Sequence, residues 1–167
     1  SPPGHWLSIA AQTCTDGKAG IWTTSDALAL CALAMFDGII DCWETKYKTA
    51  VVRPVSYIND YIDPSWRPLI QTPPFPEFTS GHSVVSAAAA EVLSRIFGSP
   101  HAFTDSTEVL FGHPPRHFTN FQDAAMEVSM SRHYGGIHYL QSVLEGNRQG
   151  THIAGRLLEK IQFKSRQ

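Results

Sequence analysis

The chain has 167 residues, of which 43% are hydrophobic and 17% charged, and its formal net charge is −2. A chain of this length can form one domain with a substantial core, because about two-thirds of its unfolded surface can be buried on folding. The slightly negative charge lacks the basic character of nucleic-acid-binding proteins, so we expect no nucleic-acid partner.

The first predicted helix covers residues 26–48, with Ser25 and Asp26 as its N-terminal cap. Its longest uninterrupted apolar run, from Ala27 to Phe36, is too short to cross a bilayer, so we expect a buried helix and no membrane span. Arg53 and Pro54 follow, then a short VSYIND segment. A proline-rich loop from Asp63 to Pro76 should be extended, because a residue that precedes proline disfavours the helical conformation.

The second predicted helix covers residues 83–97 and follows the triplet Ser80, Gly81 and His82. Ser80 can cap this helix, and Gly81 leaves the main chain accessible. The first turn of a helix carries unpaired N–H groups and the positive end of the helix dipole. These features favour an anion-binding site, with a histidine beside it that can move protons.

The third predicted helix runs from residue 119 to 134, with Thr119 and Asn120 as candidate caps, and Gly135 and Gly136 interrupt it. Two further helical stretches are expected near residues 137–145 and 148–163. Strands should be minor, and no repeat or linker divides the chain. The sequence therefore predicts one all-α domain, a helical bundle over residues 1–167.

Three segments carry the residues typical of an anion site. Lys46 and Arg53 lie in KYKTAVVRP, Ser80, Gly81 and His82 lie in TSGHS, and Arg132 and His138 lie in SRHYGGIH. Each segment alone is also typical of a solvated helix face or a structural histidine. Three cysteines, Cys14, Cys31 and Cys42, have no metal-ligand spacing and leave a single disulfide open.

In combination, the patterns Lys-x6-Arg-Pro, Ser-Gly-His and Ser-Arg-x5-His resemble the superfamily of vanadium-dependent haloperoxidases and type-2 phosphatidic-acid-phosphatase-like acid phosphatases. HWLSIA, DPSWRPLIQTPPFPEFTSGHS and SRHYGGIHY look like segments of soluble bacterial vanadium haloperoxidases. Members of that group are longer and carry another helical bundle before this region. The resemblance therefore implies that the chain is the C-terminal catalytic half of a longer helical protein.

The resemblance also implies roles for the site residues. Lys46, Arg53 and Arg132 would neutralise a tetrahedral oxyanion, to which Ser80 and the Gly81 N–H would donate hydrogen bonds; His82 would be the acid/base, and His138 the coordinating or covalent histidine. Guanidinium groups suit such oxygens because they can donate two parallel hydrogen bonds.

Two further features come from the same resemblance. Trp43 and Phe75 match positions that line the halide side of the site, although aromatic core packing is the other interpretation. The phosphatase pattern usually has an acidic residue four positions after the second histidine, where it orients the ring. Ser142 occupies that position here, with Glu145 nearby in sequence. This departure weakens the phosphatase interpretation most.

The first functional interpretation is a vanadium-dependent haloperoxidase with vanadate bound by His138. Its partners would be hydrogen peroxide, polarised by Lys46, and a halide that is oxidised to hypohalous acid. Phosphate or sulfate can occupy the same site. The alternatives are a soluble acid phosphatase acting on a phosphate ester, with His138 as nucleophile and His82 as proton donor, or a non-catalytic helical module that binds anions.

The apolar segment from Ala27 to Phe36 predicts one more partner. If the second half of a longer protein stands alone, this helix should lack its natural cover, and large exposed apolar patches usually mark an interface. We therefore expect an N-terminal helical part, a second chain or a homodimer to pack there.

Overall fold

The computed structural model describes residues 2–161, and α-helices make up most of this part of the chain. They are α1 (Pro2–Asp16), α2 (Ile21–Thr49), α3 (Pro54–Tyr61), α4 (Gly81–Phe97), α5 (Phe121–Tyr134) and α6 (Leu140–Lys160). A short 3-10 helix, η1 (Val109–Phe111), lies between β1 (Phe103–Asp105) and β2 (Arg116–Phe118), which pair in antiparallel orientation. The predicted helical bundle with minor strands is confirmed.

Helix α4 is the centre of the bundle, and α1, α2, α5 and α6 all pack against it. The four consecutive alanines at 87–90 are at most 5% exposed, so small side chains let the neighbouring helices approach closely. The closest approach is at Gly150 of α6, where an added β-carbon would lie 2.1 Å from the carbonyl oxygen of Val84. At the start of α4, the hydroxyl of Ser80 accepts a hydrogen bond from the Ser83 N–H, as predicted for a cap.

Helix α2 begins five residues earlier than predicted, after Gly20, so the predicted cap at Ser25 and Asp26 is wrong. The Ser25 hydroxyl instead donates to the carbonyl of Ile21 one turn before it, inside the helix. The inward side of the apolar run is buried within the chain, but Leu33 and Phe36 are 48% and 64% exposed. A partner on that outward side stays a prediction. None of the helices within residues 2–161 combines the length and hydrophobicity that crossing a bilayer requires.

Helices α1 and α3 were not predicted, and both begin with proline. Proline is tolerated in the first turn, where its missing N–H has no partner to lose. Pro54 begins α3, directly after Arg53. Helix α1 buries Trp6, whose indole N–H donates to the hydroxyl of Ser86 on α4 at 2.9 Å. This helix therefore belongs to the core.

Helix α5 closely follows its prediction, and its cap is Asn120, whose side chain accepts a hydrogen bond from the Asp123 N–H. The predicted break between residues 145 and 148 is wrong, because α6 is continuous through Gly146. The predicted end of that helix, at residue 163, lies outside the described residues. All three cysteines are buried and free, so they form no disulfide.

Candidate active site

Lys46 is fully buried on the inner side of α2, and the loop before α4 wraps around its ammonium group. The three N–H bonds reach the carbonyl oxygens of Pro76 (3.0 Å), Glu77 (2.9 Å) and Thr79 (2.5 Å). An ammonium group has three donors, so all of them have main-chain partners. Binding to an oxyanion therefore requires that one carbonyl be exchanged for it. Burial lowers the pKa of Lys46 to about 8.

Arg53, the residue before α3, connects the same loop to His138. Its Nε donates to the carbonyl of Phe75 at 3.0 Å, and one terminal nitrogen donates to the carbonyl of Ile137 at 2.8 Å. The same terminal nitrogen lies 3.1 Å from Nε2 of His138. A guanidinium group can only donate, so Nε2 of His138 is the acceptor in this contact.

The other ring nitrogen of His138 is held by a residue to which the sequence assigned no role. Nδ1 lies 2.6 Å from Oε1 of Glu77, and the Tyr139 N–H donates to the same oxygen at 3.1 Å. His138 is 4% exposed and Glu77 only 1%. Burial lowers the pKa of His138, and this effect exceeds the opposing effect of the hydrogen bond to Glu77. The one signal in the sequence was an acidic residue directly after the apolar, proline-rich stretch PPFP.

Ser142 does not take the place of an acidic partner for the His138 ring. Its hydroxyl points to the carbonyl of Glu77 at 3.5 Å, and its own carbonyl accepts from the Ser80 N–H at 3.2 Å. Glu145 is paired with Arg148 instead. Ser142 therefore joins the start of α6 to the loop and to the start of α4.

The aromatic pair lies beside these cations. The rings of Trp43 and Phe75 are 5.0 Å apart, and the Lys46 ammonium lies 5.3 Å from the Phe75 ring centre. Both rings line a cavity of about 170 Å³ together with Gly81, His82 and His138. A β-carbon on Gly81 would lie 3.3 Å from the Trp43 ring, so glycine allows the main chain to approach that wall.

His82 lies between this cavity and a more open one of about 380 Å³ that Arg132 lines. Burial, together with the nearby charges of Arg132 and His138, lowers the pKa of His82 to about 4. His82 is therefore neutral near pH 7. The structure thus brings Lys46, Arg53 and His138 together, and Arg132 lines the second cavity, which shares His82 with the first.

The Nε of Arg132 is buried and has no hydrogen-bond partner within residues 2–161. A buried N–H without an acceptor is costly, and an oxygen of a bound anion would satisfy it. Within the same residues, no group of three or more His, Cys, Asp or Glu side chains could hold a metal cation. The donor set of cations, a helix N-terminus and one histidine lone pair instead fits a vanadate or phosphate oxyanion.

The chain is similar to known proteins in both sequence and fold. The family model described as "VCPO second helical-bundle domain" matches residues 59–166. A bacterial vanadium-dependent iodoperoxidase is 43% identical, with a TM-score of 0.93 over 97% of this chain and 39% of that one. No curated protein sequence matches the chain.

A bacterial vanadium-dependent chloroperoxidase is more distant and shows the fold alone. Its holo-type structure is 21% identical, with a TM-score of 0.79 over 95% of this chain and 40% of that one. Its apo-type structure is 20% identical, with a TM-score of 0.74 over 95% and 42%. The chain thus spans about two-fifths of the length of these solved structures. Because the family model covers well over half of the chain, this protein belongs to the family of the VCPO second helical-bundle domain, in the superfamily of the vanadium-dependent haloperoxidases.

Proposed function

We propose that this chain is the catalytic half of a vanadium-dependent haloperoxidase that oxidises halide with hydrogen peroxide to hypohalous acid. The observation that carries the proposal is the buried ring of His138. Its Nδ1 is occupied by Glu77, and its Nε2 lone pair is presented to the cationic Arg53. The 43% identity to a bacterial iodoperoxidase favours iodide as the halide.

Vanadate would be held by Nε2 of His138, where it would replace the hydrogen bond from Arg53. The cations of Lys46, Arg53 and Arg132 would bind its oxygens, with the Ser80 hydroxyl and Gly81 N–H at the start of α4. When bound, it supplies a Lewis acid that activates peroxide without a change of oxidation state. The three cations balance up to three negative charges of the oxyanion. The buried, unpartnered Nε of Arg132 supports this assignment, since an anion oxygen would give it an acceptor.

His82 would accept a proton from hydrogen peroxide as it enters the site. A general base must be unprotonated at the working pH, and the pKa of His82, lowered to about 4, leaves its ring neutral at neutral pH. The ring lines both cavities, so a proton taken from the His138 side can leave through the open Arg132 side.

Trp43 and Phe75 would form the halide side of the site. Together with His138 they line a cavity of about 170 Å³, which suits a halide ion and peroxide better than a bulky ester. Large halides are weakly hydrated and polarisable, so contact with aromatic rings beside the Lys46 ammonium is favourable. Lys46 and Phe75 are close enough for such a shared site.

Acid phosphatase activity is the second candidate, and Glu77 favours it. A carboxylate on Nδ1 would make Nε2 of His138 a better nucleophile, as the absent acidic residue at position 142 would have done. His82 would then have to protonate the leaving group. Because its pKa is about 4, this activity should be confined to acid pH.

The test uses the full-length protein, stripped of bound anions. Triiodide formation from iodide and hydrogen peroxide is measured with and without orthovanadate, beside p-nitrophenyl phosphate hydrolysis from pH 4 to pH 8. We expect iodide oxidation that depends on vanadate and little hydrolysis at neutral pH. Hydrolysis without iodide oxidation would show that the protein is a phosphatase and would contradict the proposal. If vanadate binds but neither activity is found, the protein is a non-catalytic anion-binding module.

A further inference from the structure

We infer that Glu77 is the positioning residue for His138: its carboxylate fixes the imidazole in the tautomer that carries hydrogen on Nδ1 and a lone pair on Nε2. The inference deepens the proposed function, since the tautomer decides whether His138 can bind an oxyanion centre or attack one. It does not depend on which of the two activities the protein has.

The hydrogen-bond pattern around the ring carries the inference. A carboxylate oxygen accepts, so the 2.6 Å contact from Oε1 of Glu77 requires hydrogen on Nδ1. On the opposite side, Arg53 can only donate, so Nε2 must be unprotonated to receive it at 3.1 Å. Both neighbours select the same tautomer. The carboxylate oxygen of Glu77 is itself held in place, because it also accepts from the Tyr139 N–H.

The surroundings make Glu77 the effective partner. Its side chain is 1% exposed, so water does not compete for the carboxylate at this position. Ser142, four residues after His138 in the chain, directs its hydroxyl to the main chain of Glu77. The carboxylate is thus supplied by the loop before α4, 61 residues earlier in the chain than His138.

The main chain of Glu77 is anchored independently of its side chain. Its N–H donates to the carbonyl of Val51 at 2.9 Å, and its carbonyl accepts from Lys46 at 2.9 Å. Replacing the carboxylate by an amide of the same shape should therefore leave the loop and the Lys46 contacts in place. An effect of such a variant on anion binding would report on the ring of His138.

The first experiment reads the tautomer directly. Full-length protein with ¹⁵N-labelled histidine is studied at pH 7.5, and the His138 signals are assigned by comparison with His138→Ala. We expect a protonated Nδ1 and an unprotonated Nε2 in the native protein. In Glu77→Ala, where Arg53 alone still selects this tautomer, the signals should show a mixture of the two tautomers. A native ring with hydrogen on Nε2, or an unchanged tautomer in Glu77→Ala, would overturn the inference.

The second experiment measures the affinity for orthovanadate by isothermal titration. Loss of a hydrogen-bond partner of a ligating histidine typically lowers affinity about 10–100-fold, and we expect a loss of that size in Glu77→Ala and a smaller one in Glu77→Gln. Glu145→Gln is the matched control, because Glu145 is near His138 in sequence but pairs with Arg148. Thermal unfolding checks that each variant is folded, and the isosteric Glu77→Gln decides the matter if Glu77→Ala does not fold.

An affinity in Glu77→Gln equal to that of the native protein and of Glu145→Gln would contradict the assigned role. Failure of the proposed function is recognised separately, because both experiments are independent of halide oxidation. If the native protein lacks peroxidase activity but shows the Glu77-dependent tautomer, the haloperoxidase proposal fails and the role of Glu77 stands. If it is a vanadate-dependent peroxidase whose tautomer and affinity do not depend on Glu77, the haloperoxidase proposal stands and the role of Glu77 fails.

Discussion

Gly146 of α6 packs directly against the main chain of Ser80, because a β-carbon on Gly146 would lie 2.9 Å from the Ser80 carbonyl oxygen. The side chain of Ser83 would be at the same distance. The contact fixes the spacing between α6 and the first turn of α4, where Ser80 and Gly81 form the expected anion cradle.

Replacing Gly146 by alanine should therefore move α6 away from this turn. Overpacking of this kind typically costs about 1–3 kcal/mol, so we expect Gly146→Ala to lower the free energy of unfolding by that amount and to weaken vanadate binding. Urea denaturation and isothermal titration measure the two effects. Gly155→Ala is the control on the same helix, because a β-carbon there meets no atom within 4 Å. That variant should gain up to about 1 kcal/mol from helix propensity. Equal stability of the two variants would contradict the packing argument.

The two histidines should differ in how their loss affects binding. His138→Ala removes the Nε2 lone pair but leaves the cations in place, so vanadate affinity should fall sharply and peroxidase activity should nearly vanish. His82→Ala should keep most of the affinity and slow turnover about 10²–10⁴-fold, the usual cost of losing a positioned acid/base. Titration calorimetry and steady-state kinetics on both variants test this. The roles are assigned wrongly if affinity falls equally in both or in neither.

Arg132 should control the protonation of His82. A nearby cation disfavours the protonated imidazole, so Arg132→Met should raise the pKa of His82 above about 4, while Arg116→Met, on a surface pair with Glu127, should not. Proton NMR titration of the ring signals gives both values. Unchanged His82 titration in Arg132→Met would exclude Arg132 as a cause of the lowered pKa.

The low pKa of His82 also predicts how its contribution to stability depends on pH. The folded ring stays neutral down to about pH 4, whereas the unfolded ring takes up a proton near the ordinary value of 6.5. The unfolded chain thus binds more protons in this window, and acidification from pH 6.5 to pH 4 should favour unfolding. His82→Gln should be less sensitive to pH over this range in urea denaturation. A native protein and variant with the same pH slope would exclude His82 as the cause.

Loss of the Lys46 charge should weaken anion binding at alkaline pH. Because its pKa is lowered to about 8, the ammonium loses its charge as the pH rises from 7 to 9, and vanadate affinity should fall with it. Lys46→Met should bind more weakly at pH 7 and lose less between pH 7 and 9. Because vanadate has the same ionisation state for both proteins at each pH, the difference between their affinity–pH slopes reports on Lys46 alone.

The Lys46→Met variant should also be less stable, by about 1–3 kcal/mol for each carbonyl left without a donor. Equal slopes of vanadate affinity against pH in the native protein and Lys46→Met would contradict the role of Lys46 in the pH dependence.

The sequence predicted those parts of the fold that depend on local chemistry. The cap at Ser80 and the helix over 119–134 follow from side-chain preferences within one turn, and both are present. Helices α1 and α3 were not predicted, although both place proline in the first turn, where it is tolerated. The gap predicted between residues 145 and 148 contains Gly146, which is glycine because it packs against residues of another helix.

In the candidate site, too, local features could be predicted from the sequence and long-range contacts could not. The motifs indicated which cations and histidines to consider, since residue types and spacing are local properties. That Glu77 reaches His138 depends on how a loop folds against α6, and no sequence spacing encodes it. The use of all three Lys46 donors by main-chain carbonyls is likewise a property of the folded loop.

That loop around Lys46 has a consequence for the order in which the site is built. Residues 76–79 present three carbonyl dipoles to one positive charge, so the dehydration of the lysine is completed when the chain folds and is not repeated when a ligand arrives. The ammonium group holds the end of the proline-rich segment in place, as a bound metal cation does when carbonyl oxygens of a loop surround it. The lysine charge and the loop around it are therefore in place before any substrate is present.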